Sequence, residues 1–297
     1  MSTAEPLSPF YLRILAEELS LRRAWRDGGG LVDALGSASI DMIPHQIEAA
    51  VFALSSPLSN GVVLADEVGL GKTIEVGLVV AQLLAEGKRN ILILTPASLR
   101  GQWQTELEDL FGVSSRILDG PAYARARAEG AVRPFDASDR VLISSVPFAY
   151  RRADEIRDIP WDLVVIDEAH VLRNVWRKEN KLARTLQRAL NGRRKILVTA
   201  TPLQNNLMEL FGLVSFIDDR LLGTAYSFRS QYVEGRDPRE GRNLEDLRER
   251  LESAVCRTLR GQVREYVRFT NRHGRTVDFE PLGDELELYE KMSDYLG

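Results

Sequence analysis

The chain has 297 residues, 44% apolar and 28% charged, with a formal net charge of −4 at pH 7. That composition excludes a wholly disordered or fibrous chain, and the length allows about two domains or one large one. The lone cysteine, Cys256, excludes an intrachain disulfide and makes a reducing, cytoplasmic setting the expectation.

In chain order, residues 11–26 read as an amphipathic helix that Gly28-Gly29-Gly30 breaks, and 46–54 as a second helix. A regular alternation follows. Short apolar strands are expected at 61–65, 90–94, 115–118, 140–144, 163–166 and 195–199. Helices are expected at 73–85, 98–110, 177–190 and 207–217, then mixed-charge helices within 228–255 and an acidic helix at 284–296. Continuous apolar runs separated by helices mark strands buried on both faces of a mostly parallel sheet. The expected fold is therefore a doubly wound α/β unit, with ligands beyond the carboxyl ends of the strands. No apolar run approaches the roughly 18 residues of a membrane span, and Met1 to Pro6 carries no secretory signal.

Charge is uneven. Arg173 to Lys195 holds nine Lys/Arg against one acid, Glu179, and Arg257 to Arg275 holds six Arg against Glu265. Thr276 to Gly297 holds seven acids against Lys291. Arg177, Lys181, Arg184 and Arg188 recur at helical spacing, with Leu182, Leu186 and Leu190 opposite them. This stripe either guides a nucleic-acid backbone or solubilises the lobe. His45, His170 and His273 lack metal-ligand spacing, so no structural zinc site is expected.

Three strand exits carry chemistry. After the strand at 61–65 comes Asp66-Glu67-Val68-Gly69-Leu70-Gly71-Lys72-Thr73. A strand, a Gly-rich turn, Lys-Thr and a helix make a phosphate loop, in which backbone N–H groups and the helix N-terminus face phosphate oxygens. Lys72 suits the β/γ-phosphates and the Thr73 hydroxyl suits Mg²⁺. The strict G-x-x-x-x-G-K-[ST] pattern is not met, because Asp66 stands at the first Gly. After the strand at 163–166 comes Asp167-Glu168-Ala169-His170. There Asp167 suits a Mg²⁺ holder, and Glu168 suits the group that polarises an attacking water. After the strand at 195–199 comes Thr199-Ala200-Thr201-Pro202-Leu203-Gln204, with hydroxyls at the same edge.

The order and kind of these segments resemble the first RecA-like lobe of a superfamily 2 helicase-type ATPase of the Snf2 (SWI2/SNF2) family. The resemblance is carried by Ile43-Pro44-His45-Gln46, by Ala65 to Glu75, by Thr95 to Trp103, by Asp167 to His170, and by Leu197 to Asn205. It spans roughly Asp41 to Tyr289 and accounts for Asp66, because Snf2 proteins carry acids there. It is strongest toward bacterial members, including RNA-polymerase-associated and phage-defence Snf2-like ATPases.

The resemblance implies an ATP site of Gln46, Asp66, Glu67, Val68, Gly69, Leu70, Gly71, Lys72 and Thr73, with Gln46 reading the adenine edge. It implies Glu168, Asp167 and Lys72 as catalytic groups, and Thr73 and Asp167 as Mg²⁺ ligands. His170, Thr199, Thr201 and Gln204 would couple hydrolysis to nucleic acid. Ser98, Arg100, Gln102 and Ser145 would lie near DNA phosphates. Trp103 is expected as core packing. ATP and Mg²⁺ are the implied cofactors. The implied partners are double-stranded DNA, a second RecA-like lobe, and RNA polymerase or defence-system proteins, with no membrane.

The expected domains are an N-terminal helical extension (1–40), the RecA-like lobe (41–220), a helical protrusion (221–260) and an exit segment (261–297). The expected function is the first ATPase lobe of an ATP-dependent double-stranded DNA translocase that remodels protein–DNA complexes. No second motif set follows, so a fragment that hydrolyses ATP slowly alone is expected. The alternative is a non-catalytic DNA- or partner-binding module that uses ATP as a structural ligand.

Overall fold

The computed structural model describes residues 43–56, 58, 60–136, 141–204, 206–233, 241–263 and 283–296. The helix expected at 11–26, the 1–40 extension and the exit residues around Tyr266 to Thr270 lie outside them. The chain divides into two compact units at Val263. In the second, the described residues form one helix, Gly283–Leu296.

The first unit is built on a seven-stranded sheet with all pairings parallel. In chain order its strands are β1 (Gly61–Leu64), β2 (Ile91–Thr95), β3 (Ser115–Ile117), β4 (Val141–Ser145), β5 (Leu163–Ile166), β6 (Lys195–Val198) and β7 (Val255–Cys256). Their spatial order is β3-β4-β2-β5-β6-β1-β7. Every residue of β1, β2, β4, β5 and β6 is buried. Successive side chains alternate between two cores, as a pleated strand requires. Val62, Leu64, Ile91, Ile93, Val165 and Val198 enter one core, with Val79, Leu83 and Leu107 from covering helices. Val63, Leu92, Leu94, Val164, Ile166 and Leu197 enter the other, with Leu186, Leu213 and Phe216. Burying each such aliphatic side chain stabilises the fold by about 1.5–3 kcal/mol.

The covering helices are α1 (Pro44–Ser55), α2 (Lys72–Ala85), α3 (Arg100–Phe111), α4 (Gly120–Ala128), α5 (Val146–Arg151), α6 (Ala153–Arg157), α7 (Lys181–Ala189) and α8 (Leu207–Ile217). The expected strand at 163–166 and helix at 207–217 have their expected ends. One helix does not. The helix expected at 177–190 starts at Lys181, because the Asn180 side chain caps it by accepting the Ala183 N–H at 3.1 Å. Arg177 therefore lies before the helix, with its guanidinium 4.9 Å from the centre of the Trp176 ring. The basic stripe shortens to Lys181, Arg184 and Arg188, of which Arg184 is half-buried.

Helices α9 (Ala225–Tyr232) and α10 (Leu244–Leu251) supply the expected mixed-charge region. Phe211, Phe228, Tyr232 and Leu247 give it a separate apolar cluster. The chain then returns to the sheet. Val255 and Cys256 pair with Val63 and Leu64 of β1, so two residues near the end of the span expected as protrusion are sheet. Cys256 is half-buried, and burial, followed by the charges of Asp66, Glu75 and Glu48, pushes its thiol up to about 12.

Candidate functional site

The candidate groups gather where the sheet ends. The Asp167 N–H donates to the Leu94 carbonyl at 2.8 Å, and the Thr199 N–H to the Leu64 carbonyl at 3.0 Å. The exits of β1, β2, β5 and β6 thus form one edge, the position at which open α/β sheets bind ligands.

The turn between β1 and α2 has the form of a phosphate loop. Gly71 caps α2 at φ 88, in the left-handed region that glycine tolerates. A Cβ there would also stand 2.2 Å from Gln46 Nε2, so a side chain would have to displace Gln46 as well as strain the backbone. Lys72 curls back, and its Nζ donates to the Asp66 and Glu67 carbonyls at 3.0 and 3.1 Å. Thr73 is half-buried in the first turn of α2. Leu70 is buried, whereas Val68 and Gly69 form an exposed tip. Gln46, expected at an adenine edge, is buried and donates to the Leu70 carbonyl at 2.8 Å. His45 Nε2 meets the same oxygen at 2.8 Å, which assigns the ring proton to Nε2. Both side chains brace the loop from beneath.

A buried acidic node lies under this loop. Asp66 and Glu75 are fully buried, and ligating atoms of His45, Asp66 and Glu75 lie within 4.8 Å of one another. Burial, then the Asp66 charge, raises Glu75 to about 9, so it holds a proton at neutral pH.

Asp167 is held differently. Its Oδ2 accepts the Thr95 hydroxyl and the Trp103 indole N–H, each at 2.9 Å. Its Oδ1 accepts the Glu168 N–H at 2.8 Å. Trp103 is buried, as expected of core packing, and it also orients Asp167. The helical spacing that placed Trp103 in the core gave no sign of this bond. Glu168 has φ 49, a left-handed conformation that costs a non-glycine residue about 1–3 kcal/mol. Its Oε2 lies 2.9 Å from His170 Nδ1.

A further link runs from this turn to the exit of β6. Arg173 Nη1 donates to Gln204 Oε1 at 2.8 Å and meets Glu209 Oε2 at 3.3 Å. The Gln204 N–H donates to that Glu209 oxygen at 2.9 Å. Thr199 is buried, and its hydroxyl accepts the Thr201 N–H at 3.2 Å; Thr201 itself is exposed. Arg173 and Glu209 were missed as site residues, because a single basic residue in a basic stretch gives no sign of its partner.

The four expected DNA-facing residues divide. Ser98 and Gln102 are exposed. Arg100 is half-buried and pairs with Asp119 at 3.4 Å. Ser145 is buried, and its hydroxyl accepts the Phe148 N–H at 3.3 Å as the cap of α5.

The SNF2-related domain family matches residues 45–294. The chain belongs to this family. It is 31% identical over 291 residues to the Bacillus subtilis protein called uncharacterized ATP-dependent helicase YqhH, across 97% of this chain and 48% of that protein. It is 30% identical over 272 residues to human DNA repair and recombination protein RAD54B, across 84% of this chain and 29% of that one. It is 34% identical over 218 residues to RNA polymerase-associated protein RapA of Pectobacterium carotovorum, across 70% of this chain and 21% of that one. The chain thus spans less than half the length of these relatives. The Sulfolobus solfataricus SWI2/SNF2 ATPase core, solved in complex with dsDNA, shares the fold at TM-score 0.59 and 20% identity, over 75% of this chain and 45% of that one. The RecA-like architecture expected for this SNF2 lobe is the one observed.

The donor set fits Mg²⁺ and a nucleoside triphosphate. A side chain at Gly71 would strain the backbone and displace Gln46, Lys72 offers an ammonium, and Thr73 and Asp167 offer hard oxygen atoms of the kind Mg²⁺ takes. Among the described residues no helix is long and apolar enough to cross a membrane.

Proposed function

We propose that this chain is the first RecA-like lobe of a Snf2-type, ATP-dependent double-stranded DNA translocase that remodels protein–DNA complexes. One observation carries the reading. Gly71-Lys72-Thr73 after β1 and Asp167-Glu168 after β5 converge on one sheet edge.

In this reading the amides of Gly69 to Thr73 and the Lys72 ammonium hold the β- and γ-phosphates. Thr73 and Asp167 would hold Mg²⁺, which when bound would supply positive charge against that developing on the phosphate oxygens. Thr95 and Trp103 keep Asp167 aimed. Glu168 accepts the proton of the attacking water, and the nearby His170 orients it. Arg173, Gln204 and Glu209 carry the state of this turn to the exit of β6. Ser98 and Gln102, both exposed, face the DNA backbone, and the dsDNA complex of the Sulfolobus neighbour supports double-stranded DNA as the partner. The relatives named for DNA repair and RNA polymerase association support a DNA-bound or polymerase-bound complex as the object remodelled.

Full turnover requires a second RecA-like lobe with an arginine finger, a group worth about 10³–10⁵ in rate. The test is ATP hydrolysis by the chain with and without such a lobe, each with and without double-stranded DNA. Slow hydrolysis alone, and DNA-stimulated hydrolysis once the lobe is supplied, are expected. DNA-stimulated turnover near about 1 s⁻¹ by the chain alone would overturn the requirement. No hydrolysis under any condition would overturn the motor reading.

A further inference from the structure

Asp66 and Glu67 stand in the phosphate loop where glycine-type loops need no acid, and both side chains are occupied by a distant segment. Asp66 Oδ1 accepts the Thr258 N–H at 2.7 Å. The Glu67 N–H donates to the Thr258 carbonyl at 3.2 Å, and Glu67 Oε2 accepts the Arg260 N–H at 2.8 Å. Arg260 Nε donates to the Val68 carbonyl at 3.0 Å, and its Nη2 reaches the same oxygen. Just upstream, the Val63 and Ala65 N–H groups each donate at 2.8 Å, to the Ala254 and Cys256 carbonyls. The β1–β7 pairing ends at Cys256, but the Glu67–Thr258 backbone bond and the Arg260 side chain carry the contact on along the phosphate loop as far as Val68.

The loop is thus gripped from two sides. Lys72 holds the Asp66 and Glu67 carbonyls from the helix side, and Thr258 and Arg260 hold Asp66 to Val68 from the strand side. The grip ends beside Gly69, where Arg260 Nη2 would stand 3.2 Å from an added Cβ. A loop that must aim several amides at one phosphate group loses affinity if it has to order itself on binding. A strap that fixes its curvature beforehand removes that cost.

We propose that Thr258 to Arg260 form a positioning strap for the phosphate loop, with Asp66 and Glu67 as its receptors and Arg260 setting the tip. The proposal rests on the nucleotide reading of this site. The acids then serve the loop's shape and leave phosphate binding to the amides and Lys72. Any event that displaces the strap loosens the nucleotide site.

The test uses the whole chain with Arg260→Ala, Arg260→Lys, Thr258→Pro and Lys72→Ala. The first readout is amide hydrogen exchange without nucleotide. Arg260→Ala and Thr258→Pro should speed exchange across Asp66 to Gly71 about tenfold and leave β2 unchanged. The second is the affinity for a fluorescent ATP analogue with Mg²⁺. Arg260→Ala should weaken it roughly tenfold, and Arg260→Lys, which keeps a donor for the Val68 carbonyl, should recover part of the loss. Unchanged loop exchange in Arg260→Ala, or Arg260→Lys no better than Arg260→Ala, overturns the strap. Lys72→Ala separates the two levels. If it leaves binding intact, the nucleotide reading fails; if it abolishes binding while Arg260→Ala does not weaken it, only the strap fails.

Discussion

Asp167 after β5 and the Asp66–Glu75 pair at the exit of β1 lie at one edge of one sheet, yet their surroundings differ in kind. Asp167 receives three donors, from Thr95, Trp103 and the Glu168 backbone. Glu75 is sealed under the phosphate loop against a second acid, and its pKa rises to about 9. The first arrangement fixes the direction of an oxygen pair, which suits it to the cation of the proposed site. The second stores a proton inside the wall of the site. Burial alone therefore does not say which acid does chemistry; the donors around it do.

Substitutions around the two acids should diverge sharply. The largest effect is expected from Glu168→Gln in the chain supplied with a second RecA-like lobe. Hydrolysis should fall about 10²–10⁴-fold with ATP binding retained, measured by phosphate release and by nucleotide titration. Unchanged hydrolysis would remove Glu168 from the role of base. Next comes Trp103→Phe, which keeps the ring in the core but deletes the donor to Asp167. Its kcat should fall roughly tenfold with little change in KM, because a hydrogen bond to a charged group is worth about 1.5–3 kcal/mol. A loss confined to KM would contradict an orienting role.

Glu75→Gln probes the other acid through stability. Below its ordinary 4.5 both folded and unfolded chains hold the proton. Between 4.5 and about 9 the unfolded chain has released a proton that the folded chain keeps, so stability falls as pH rises. Glutamine removes this penalty. The variant's melting temperature should exceed that of the parent by more at pH 8 than at pH 5, with about 2–4 °C per kcal/mol at this size. A pH-independent difference would mean that Glu75 is not the stored proton. The smallest effect belongs to the surface. Lys181→Glu with Arg188→Glu on α7 should flatten the salt dependence of DNA binding by about one unit per residue if the stripe follows the backbone. An unchanged slope would make it a solvated face.

Much of this edge was legible from the sequence because buried parallel strands advertise themselves. Leu163 to Ile166 is apolar throughout, the helix Leu207 to Ile217 is apolar but for Glu209 and Ser215, and the groups that follow each strand fall at the sheet edge by topology alone. Less local features were not legible. The two residues of β7 have no pattern of their own and are strand only because β1 offers an edge. The start of α7 depended on a single cap, Asn180. The bond from Trp103 to Asp167 joins residues 64 apart, and that from Arg173 to Glu209 joins residues 36 apart. No local periodicity encodes such pairs. Asp66 and Glu67 were expected as part of the ATP site, yet their side chains are bonded to Thr258 and Arg260.

The most direct test of the central claim is calorimetric titration of ATP into the unaltered chain and into Lys72→Ala, each with and without Mg²⁺. A convergent nucleotide site requires saturable binding that tightens with Mg²⁺ and weakens at least about tenfold on loss of the Lys72 ammonium. Equal binding by both proteins, indifferent to Mg²⁺, would contradict it.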